Sequence, residues 1–186
     1  NLKMAILDYS KSIEIDANYA SGYNNRGIAY ADEGNFLQAL SDLNKAIEID
    51  PKSPFSFYNR GNAYKMMLRF SQAVSDYTQA IKLYPKFALA YHNRGSIYDE
   101  QGKLDEAISD YSKAIHIEPN LPLTYYNRGN AYKELGRLDE AIADYSKAIQ
   151  AEPNMVGAYN NRAIAYFLKQ RFDKSWLDLR KEKRMG

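Results

Sequence analysis

An Asn-Arg pair recurs along the chain at a constant interval, and its amide and guanidinium groups are the side chains with the most evident chemistry. The interval is 34 residues. The pairs are Asn25-Arg26, Asn59-Arg60, Asn93-Arg94, Asn127-Arg128 and Asn161-Arg162. A primary amide offers one acceptor and two donors, so asparagines at a fixed rise can hydrogen-bond the N–H and C=O groups of an extended peptide. The alternative is that each asparagine bonds a neighbouring helix or loop of its own chain.

Aspartates recur at the same interval as the arginines. They are Asp8, Asp42, Asp76, Asp110, Asp144 and Asp178. A partly buried guanidinium needs a carboxylate, because an unpaired buried charge costs several kcal/mol. We therefore expect Arg–Asp pairs that link adjacent helices, either within a repeat or to the preceding one. The alternative is that the arginines bind an acidic ligand.

Residue sets typical of enzymes and metal sites do not occur in the sequence. His92 and His116 fall at different phases of the repeat, and cysteine is absent, which excludes disulfides and thiolate sites without indicating a compartment. The glycines occur singly, so no phosphate-binding loop is predicted. Asp105-Glu106 and Asp139-Glu140 fall in predicted first turns of helices, where negative charge suits the helix dipole. We expect a non-catalytic protein with no cofactor and no metal.

Composition argues against two kinds of partner. The 186 residues include 25 basic and 23 acidic side chains, a net charge of +2, and no basic stripe, so we do not expect nucleic acid to bind. No run of about 18 apolar residues occurs, so no membrane span is predicted. The chain opens at Asn1 rather than at a methionine, and we expect it to be a piece of a longer protein.

Each repeat has the pattern of two helices. In residues 20–53, apolar and small residues recur at steps of three and four, which is typical of an amphipathic helix. Gly34 interrupts the pattern, a second periodic run follows, and Pro51 ends it. Ser53 is predicted to cap the next helix, with Pro54 at its first position. The predicted segments are a truncated second helix over 1–19, repeats over 20–53, 54–87, 88–121 and 122–155, and a degenerate repeat with an end helix over 156–186, all in one solenoid domain.

The order of small and aromatic residues resembles the tetratricopeptide repeat. An aromatic residue is followed by Gly four positions later, Tyr three later, a mid-repeat Ala, an aromatic, Ala and Pro, and two central repeats share 22 of 34 residues. The resemblance implies an all-α, right-handed superhelical solenoid of antiparallel helix pairs, with first helices lining a concave groove. It also implies an asparagine ladder that holds a peptide. Leu68 departs from the pattern where Gly is expected, as does Ala163, and the last repeat degrades after Gln170.

Helical phase predicts which side chains share the groove with the asparagines. The peptide-binding candidates are Asn25, Asn59, Asn93, Asn127, Asn161, Tyr58, His92, Tyr126, Asn62, Asn130, Lys65 and Lys133. Tyr58 and Tyr126 either clamp apolar ligand side chains or pack against the next helix. Similar repeats that bind an acidic C-terminus place Lys four residues before the asparagine. This sequence has Ser21, Phe55, Leu89, Leu123 and Gly157 there, so we do not expect a carboxylate clamp.

The two ends depart from the repeat. Leu2 to Asp16 matches a second helix without its first helix, which leaves apolar side chains uncovered and predicts either upstream repeats or self-association through this end. Phe172 to Arg184 is predicted as an end helix with a basic finish, which is either a solvated end or a patch for an anionic partner.

We expect a protein–protein interaction scaffold that binds an extended peptide segment of a partner along the concave groove. The alternatives are a substrate-recruiting arm of a larger enzyme and a self-association module.

Overall fold

The computed structural model describes residues 2–183, which form α-helices joined by short turns. The helices are α1 Leu2–Ile15, α2 Ala20–Asp32, α3 Phe36–Ile49, α4 Pro54–Met66, α5 Phe70–Leu83, α6 Ala88–Glu100, α7 Leu104–Ile117, α8 Pro122–Glu134, α9 Leu138–Ala151, α10 Val156–Leu168 and α11 Phe172–Glu182. First helices have 13 residues and the following second helices 14, down to 11 in α11. The end helix was predicted to reach Arg184, which lies outside the described residues.

The predicted helix starts are confirmed at α4. Ser53 caps this helix, because its side chain accepts a hydrogen bond from the Ser56 N–H at 3.4 Å. Pro54 occupies the first helical position, where a missing N–H removes no intrahelical bond. Pro122 begins α8 in the same way.

The turn between the two helices of a repeat requires one residue in the left-handed region. Gly34, Gly102 and Gly136 adopt φ values of 81°, 71° and 72°, and Leu68 and Gln170 adopt 57° and 58° at the equivalent positions. In each of these turns the following N–H bonds back to a tyrosine carbonyl of the first helix, as from Asn35 to Tyr30 at 2.8 Å. The turn therefore has the same conformation whether its left-handed residue is glycine or another residue.

The chain forms two compact units, one up to Arg94 and one from Gly95 onward. In the first unit, α2 packs on α3, α4 packs on α5, and α1 and α3 contact the first helix that follows each of them. Ala39, Leu43 and Ala63 are fully buried between these helices. In the second unit, α8 packs on α9 and α10 on α11, with α7 against α8 and α9 against α10. Tyr111 and Tyr145 are its largest fully buried side chains.

The mid-helix glycines allow a close approach by a side chain of the second helix. A Cβ at Gly61 would lie 2.8 Å from Cε1 of Tyr77, and one at Gly27 would lie 2.8 Å from Cγ of Leu43. Real Cβ contacts are not this short, so a residue with a Cβ would not fit at these positions without a shift of its neighbours. Glycine is therefore kept there, although a glycine within a helix costs about 1 kcal/mol. No helix within residues 2–183 has the length and apolarity that a membrane crossing needs.

Candidate functional site

The first helices carry their polar and apolar candidates on one face. In α4 these are Phe55, Tyr58, Asn59, Asn62 and Lys65, which are spaced so that they follow one another along one side of a helix. In α8 the same face carries Leu123, Tyr126, Asn127, Asn130 and Lys133. Each compact unit therefore contains one helix with the complete set.

The arginines of the repeat are bound to aspartates of the second helix. Nε and Nη2 of Arg60 donate to Oδ2 and Oδ1 of Asp76 at 2.8 and 2.7 Å. The same two-bond pairing at 2.7–2.8 Å joins Arg26 to Asp42, Arg128 to Asp144 and Arg162 to Asp178. The prediction of Arg–Asp pairs is thus confirmed for these four pairs, and the aspartate belongs to the same repeat as its arginine.

Each guanidinium also reaches the preceding repeat. Nη1 of Arg60 donates to Oδ1 of Asn44 at 2.7 Å. The equivalent acceptors are Ser10 for Arg26, Thr78 for Arg94, Ser112 for Arg128 and Ser146 for Arg162, at 2.9–3.0 Å. Sequence reasoning missed this row of acceptors, although a hydroxyl or amide side chain recurs 16 residues before the arginine of every Asn-Arg pair.

The pairing leaves the arginines little freedom to bind an acidic ligand. Hydrogen bonding to Asp76 raises the pKa of Arg60 above its usual value, so the guanidinium stays charged. Its Cζ also lies 5.6 Å from the ring centroid of Phe57 and 5.9 Å from that of Tyr64. We conclude that these arginines join consecutive helices.

In the first unit, the asparagines of the first helices bind one another and tyrosine hydroxyls. Nδ2 of Asn93 donates to Oη of Tyr58 at 3.1 Å and to Oδ1 of Asn62 at 2.9 Å. The same Oδ1 accepts the hydroxyl of buried Tyr77 at 2.7 Å. Nδ2 of Asn59 donates to Asn24 at 3.0 Å. Asn25 is also inside the network, because its Oδ1 accepts from Asn24 at 3.1 Å.

The second unit repeats this network. Nδ2 of Asn161 donates to Oη of Tyr126 at 3.1 Å and to Oδ1 of Asn130 at 2.8 Å. Tyr145 donates its hydroxyl to Asn130 at 2.8 Å. Asn127 shares a hydrogen bond with Tyr111.

The network changes the interpretation of the mid-helix asparagines. Both amide hydrogens of Asn93 and of Asn161 are used within the chain, as in the alternative in which each asparagine bonds a neighbouring helix. A buried tyrosine hydroxyl needs a hydrogen-bond partner, and the amides provide it. The donors expected to hold a ligand are thus committed in these two residues, although the side chains remain half-buried.

Tyr58 and Tyr126 pack within their units. The ring of Tyr58 lies 4.7 Å from that of Phe87 and 5.8 Å from that of Tyr77, between centroids. Tyr126 lies 6.0 Å from Tyr145. The packing alternative therefore describes these rings better than a ligand clamp.

A covariation inside the chain identifies the network, and sequence reasoning missed it. Where the first helix carries Asn62 or Asn130, the second helix carries Tyr77 or Tyr145; where it carries Ile28, the second helix carries Leu43. Ile164 and Leu179 form the same apolar combination in the last repeat. In these four repeats the hydroxyl and the amide appear or disappear together. In the remaining repeat Ser96 stands at the amide position, and the hydroxyl of Tyr111 donates to Asp99 at 3.4 Å instead.

His92 occupies the position of Tyr58 and Tyr126 in α6. Burial, and secondarily the charge of Lys65, lower the pKa of His92 to about 4. The imidazole is therefore neutral at pH 7. Lys65 and Lys133 lie half-buried in the last turns of α4 and α8, where a cation suits the helix dipole.

Apolar side chains lie at the N-terminal end of the candidate face. Repeats that bind an acidic C-terminus have lysine at this position. Phe55, Leu89 and Leu123 are 55 %, 45 % and 53 % exposed, and each precedes an asparagine by four residues. A lone exposed apolar residue needs no explanation, but these recur at one position of the repeat. We regard them as the part of the face best able to contact a ligand.

The described residues contain no group of His, Cys, Asp and Glu able to hold a metal ion. Asp105, Glu106, Asp139 and Glu140 lie in the first turns of α7 and α9, as predicted.

The chain matches known families of repeat proteins. The tetratricopeptide repeat matches residues 20–53, 54–87 and 122–155, with further matches to tetratricopeptide and TPR repeats over 76–109 and 95–136. The matched segments together extend from residue 20 to residue 155. The predicted family and the predicted all-α repeat fold are confirmed.

Solved structures have the same fold. YrrB, described as a TPR protein with an unusual peptide-binding site, is 20 % identical over 96 % of this chain and 92 % of its own, with a TM-score of 0.80. MamA is 32 % identical over 82 % of this chain and 89 % of its own, with a TM-score of 0.74. PilF from Pseudomonas aeruginosa is 20 % identical over 90 % of this chain and 76 % of its own, with a TM-score of 0.81.

No curated protein matches the sequence significantly. The repeat matches, which cover more than half of the chain, decide the family. The chain belongs to the tetratricopeptide repeat family and is a helical-repeat scaffold for protein interaction.

Proposed function

We propose that the chain binds an extended segment of a partner protein on the faces of its first helices. The observation that carries the proposal is the recurrence of exposed Phe55, Leu89 and Leu123 four residues before a half-buried asparagine. Apolar side chains of the segment pack on these residues, and its backbone N–H groups donate to asparagine carbonyl oxygens.

The amide geometry supports a restricted form of the asparagine ladder. Oδ1 of Asn93 and Oδ1 of Asn161 receive no hydrogen bond from the described residues, while both Nδ2 groups are used. Each side chain can therefore offer an acceptor to a peptide N–H but no further donor. One such bond contributes about 1 kcal/mol, so apolar contacts must provide most of the affinity.

Burial of Phe55, Leu89 and Leu123 by the bound segment can provide most of the affinity. Fully covering a leucine or phenylalanine side chain contributes about 1.5–3 kcal/mol relative to leaving it exposed. The second helices contribute buried faces and are not expected to contact the segment.

An array of synthetic peptides of varied sequence tests the proposal, with affinities of selected peptides measured by calorimetry. The Phe55→Ser/Leu89→Ser double variant changes the first unit, and Leu123→Ser changes the second. We expect each substitution to lower affinity roughly tenfold. Asn93→Ala should lower it about fivefold, the effect of one hydrogen bond.

The matched control is Leu37→Ser, which removes an apolar side chain that is 76 % exposed on a second helix. Its affinity should equal that of the unchanged protein. The proposal fails if folded Phe55→Ser/Leu89→Ser and Leu123→Ser proteins both bind the selected peptides as tightly as the control does.

A further inference from the structure

The loop between α5 and α6 differs in sequence from the other loops that join one repeat to the next. The N–H of Phe87 donates to the carbonyl of Tyr84 at 3.1 Å. The same bond joins Ser53 to Asp50 at 3.3 Å, so the turn itself is the common one. Tyr84, however, stands where the other loops have a carboxylate, at Asp16, Asp50, Glu118 and Glu152. We refer to residues 84–87 as the tyrosine loop.

The missing carboxylate leaves a backbone donor open in the tyrosine loop. Oδ1 of Asp50 accepts the N–H of Lys52 at 3.1 Å, and the loop at Asp16 has the equivalent bond at 2.9 Å. The equivalent donor of the tyrosine loop is the N–H of Lys86, which donates no hydrogen bond within residues 2–183. A carboxylate from another molecule can therefore take the place that the aspartate side chain fills in those loops.

The tyrosine loop lies in a positively charged part of the chain. Lys82 and Lys86 are exposed, and neither has an ion pair among residues 2–183. No acidic residue occurs from 77 to 98. An anion that approaches the open N–H thus meets two cations and no carboxylate from this stretch of the chain.

The charges of the preceding repeat do not cancel this potential. Asp50 and Lys52 lie together in one loop and have opposite charges, and the carboxylate accepts from the backbone of the lysine. Glu48 is bound to Lys45 at 2.7 Å. The excess of positive charge therefore remains at the tyrosine loop.

An aromatic cluster connects the tyrosine loop to the proposed binding face. The ring of Phe87 is 8 % exposed and contacts the rings of Tyr84 and Phe55, at 5.8 and 5.4 Å between centroids. Those two rings are themselves 43 % and 55 % exposed, and aromatic side chains are enriched at protein interfaces. Because Phe55 belongs to the proposed binding face, a segment bound on that face reaches the tyrosine loop over continuous aromatic surface.

We infer that the tyrosine loop selects a partner segment in which an acidic side chain lies beside an apolar one. The inference rests on the proposed binding at the first helices and adds the chemistry of the bound segment. The apolar side chain packs on Phe55 and Tyr84. The carboxylate accepts from the N–H of Lys86, as the carboxylate of Asp50 accepts within its own loop, and the two exposed lysines attract it.

Paired synthetic peptides test this selection. Each acidic peptide of the array is matched with a counterpart in which Asn and Gln replace Asp and Glu, and both affinities are measured by calorimetry. We expect the acidic peptide to bind roughly tenfold more tightly, the effect of a hydrogen bond to a charged group. The preference should shrink as salt rises from about 0.01 M to about 1 M, because surface charges are screened. The backbone amide resonance of Lys86 should shift with the acidic peptide and not with its counterpart.

Substitutions that copy other loops of the chain give matched variants. Tyr84→Asp copies the preceding loop and supplies the carboxylate from the chain itself, so the two peptides of a pair should bind equally. Tyr84→Phe keeps the ring without adding a charge and should retain the preference. Lys52→Asn removes a lysine from the preceding loop and should also retain it. Circular dichroism verifies that every variant is folded.

The outcomes separate this selection from binding itself. If the paired peptides bind the unchanged protein equally, or if the preference persists in Tyr84→Asp, the selection by the tyrosine loop is overturned. Binding at the first helices still stands in that case, provided that Phe55→Ser/Leu89→Ser lowers the affinity. If no peptide binds, both proposals fail.

Discussion

The hydroxyl of Tyr77 donates to Oδ1 of Asn62 at 2.7 Å, and the same carbonyl accepts from Asn93 of the next repeat. One amide thus joins a second helix, its own first helix and the following first helix. Because the tyrosine is fully buried, its hydroxyl has few other partners, and the pair behaves as a unit.

Asn62→Ile should destabilise the protein by about 1–3 kcal/mol, because it leaves the buried hydroxyl of Tyr77 without its acceptor. Urea unfolding followed by circular dichroism measures the change. The double variant Asn62→Ile/Tyr77→Leu copies the Ile28–Leu43 pair of the first repeat and should recover more than half of the loss. Additive losses in the double variant would contradict this account of the pair.

Arg60 and Asp76 should be strongly coupled. Removing either side chain leaves the other charge partly buried and unpaired, so Asp76→Ala should cost about 3 kcal/mol. A double-mutant cycle with Arg60→Ala should give a coupling of about 1–3 kcal/mol. The control cycle is Arg137 with Glu140, an exposed pair at 2.8 Å, for which we expect coupling within experimental error. Equal coupling in the two cycles would contradict the role assigned to burial.

Fold and site differ in how far sequence predicts them. The helix pairs, Ser53 cap and Arg–Asp pairs follow from local spacing and from the cost of an unpaired charge, so reasoning from one repeat suffices. The hydrogen-bond partners of Asn93 cannot be predicted in this way. They lie on the preceding first helix, and the contact depends on how closely the two helices approach. The occurrence of Asn62 with Tyr77, and of Ile28 with Leu43, is the trace of that contact in the sequence, and Ser96 with Tyr111 departs from it.

Leu68→Gly should stabilise the chain by up to about 1 kcal/mol. Leu68 adopts φ 57° and is 74 % exposed, so glycine relieves left-handed strain at little loss of packing. The gain is limited by the greater freedom of glycine in the unfolded chain. Thermal unfolding measures it, with Gly102→Ala as the reverse change, expected to lower the melting temperature. A lower melting temperature for Leu68→Gly would show that the leucine side chain contributes more than the turn strain costs.

His92 should make stability depend on pH. Its pKa is lowered from 6.5 in the unfolded chain to about 4 in the folded protein, so only the unfolded chain takes up the proton between these values. The contribution of neutral His92 is complete above pH 6.5 and is lost as the pH falls towards 4, by at most about 3 kcal/mol.

The variant His92→Tyr isolates this effect, because Tyr58 and Tyr126 occupy the same position. The difference in unfolding free energy between the unchanged protein and the His92→Tyr variant should change between pH 6.5 and pH 4. It should be constant above pH 6.5. A constant difference over the whole range, or an NMR titration of His92 near pH 6.5, would contradict the burial of the imidazole.

The most direct test of partner binding at the first helices is the set of intermolecular NOEs between a selected peptide and leucine methyl groups. We predict contacts from peptide side chains to the methyls of Leu89 or Leu123, and none to those of Leu37. Contacts to Leu37 with none to Leu89 or Leu123 would place the partner on the second helices and contradict the proposed binding face.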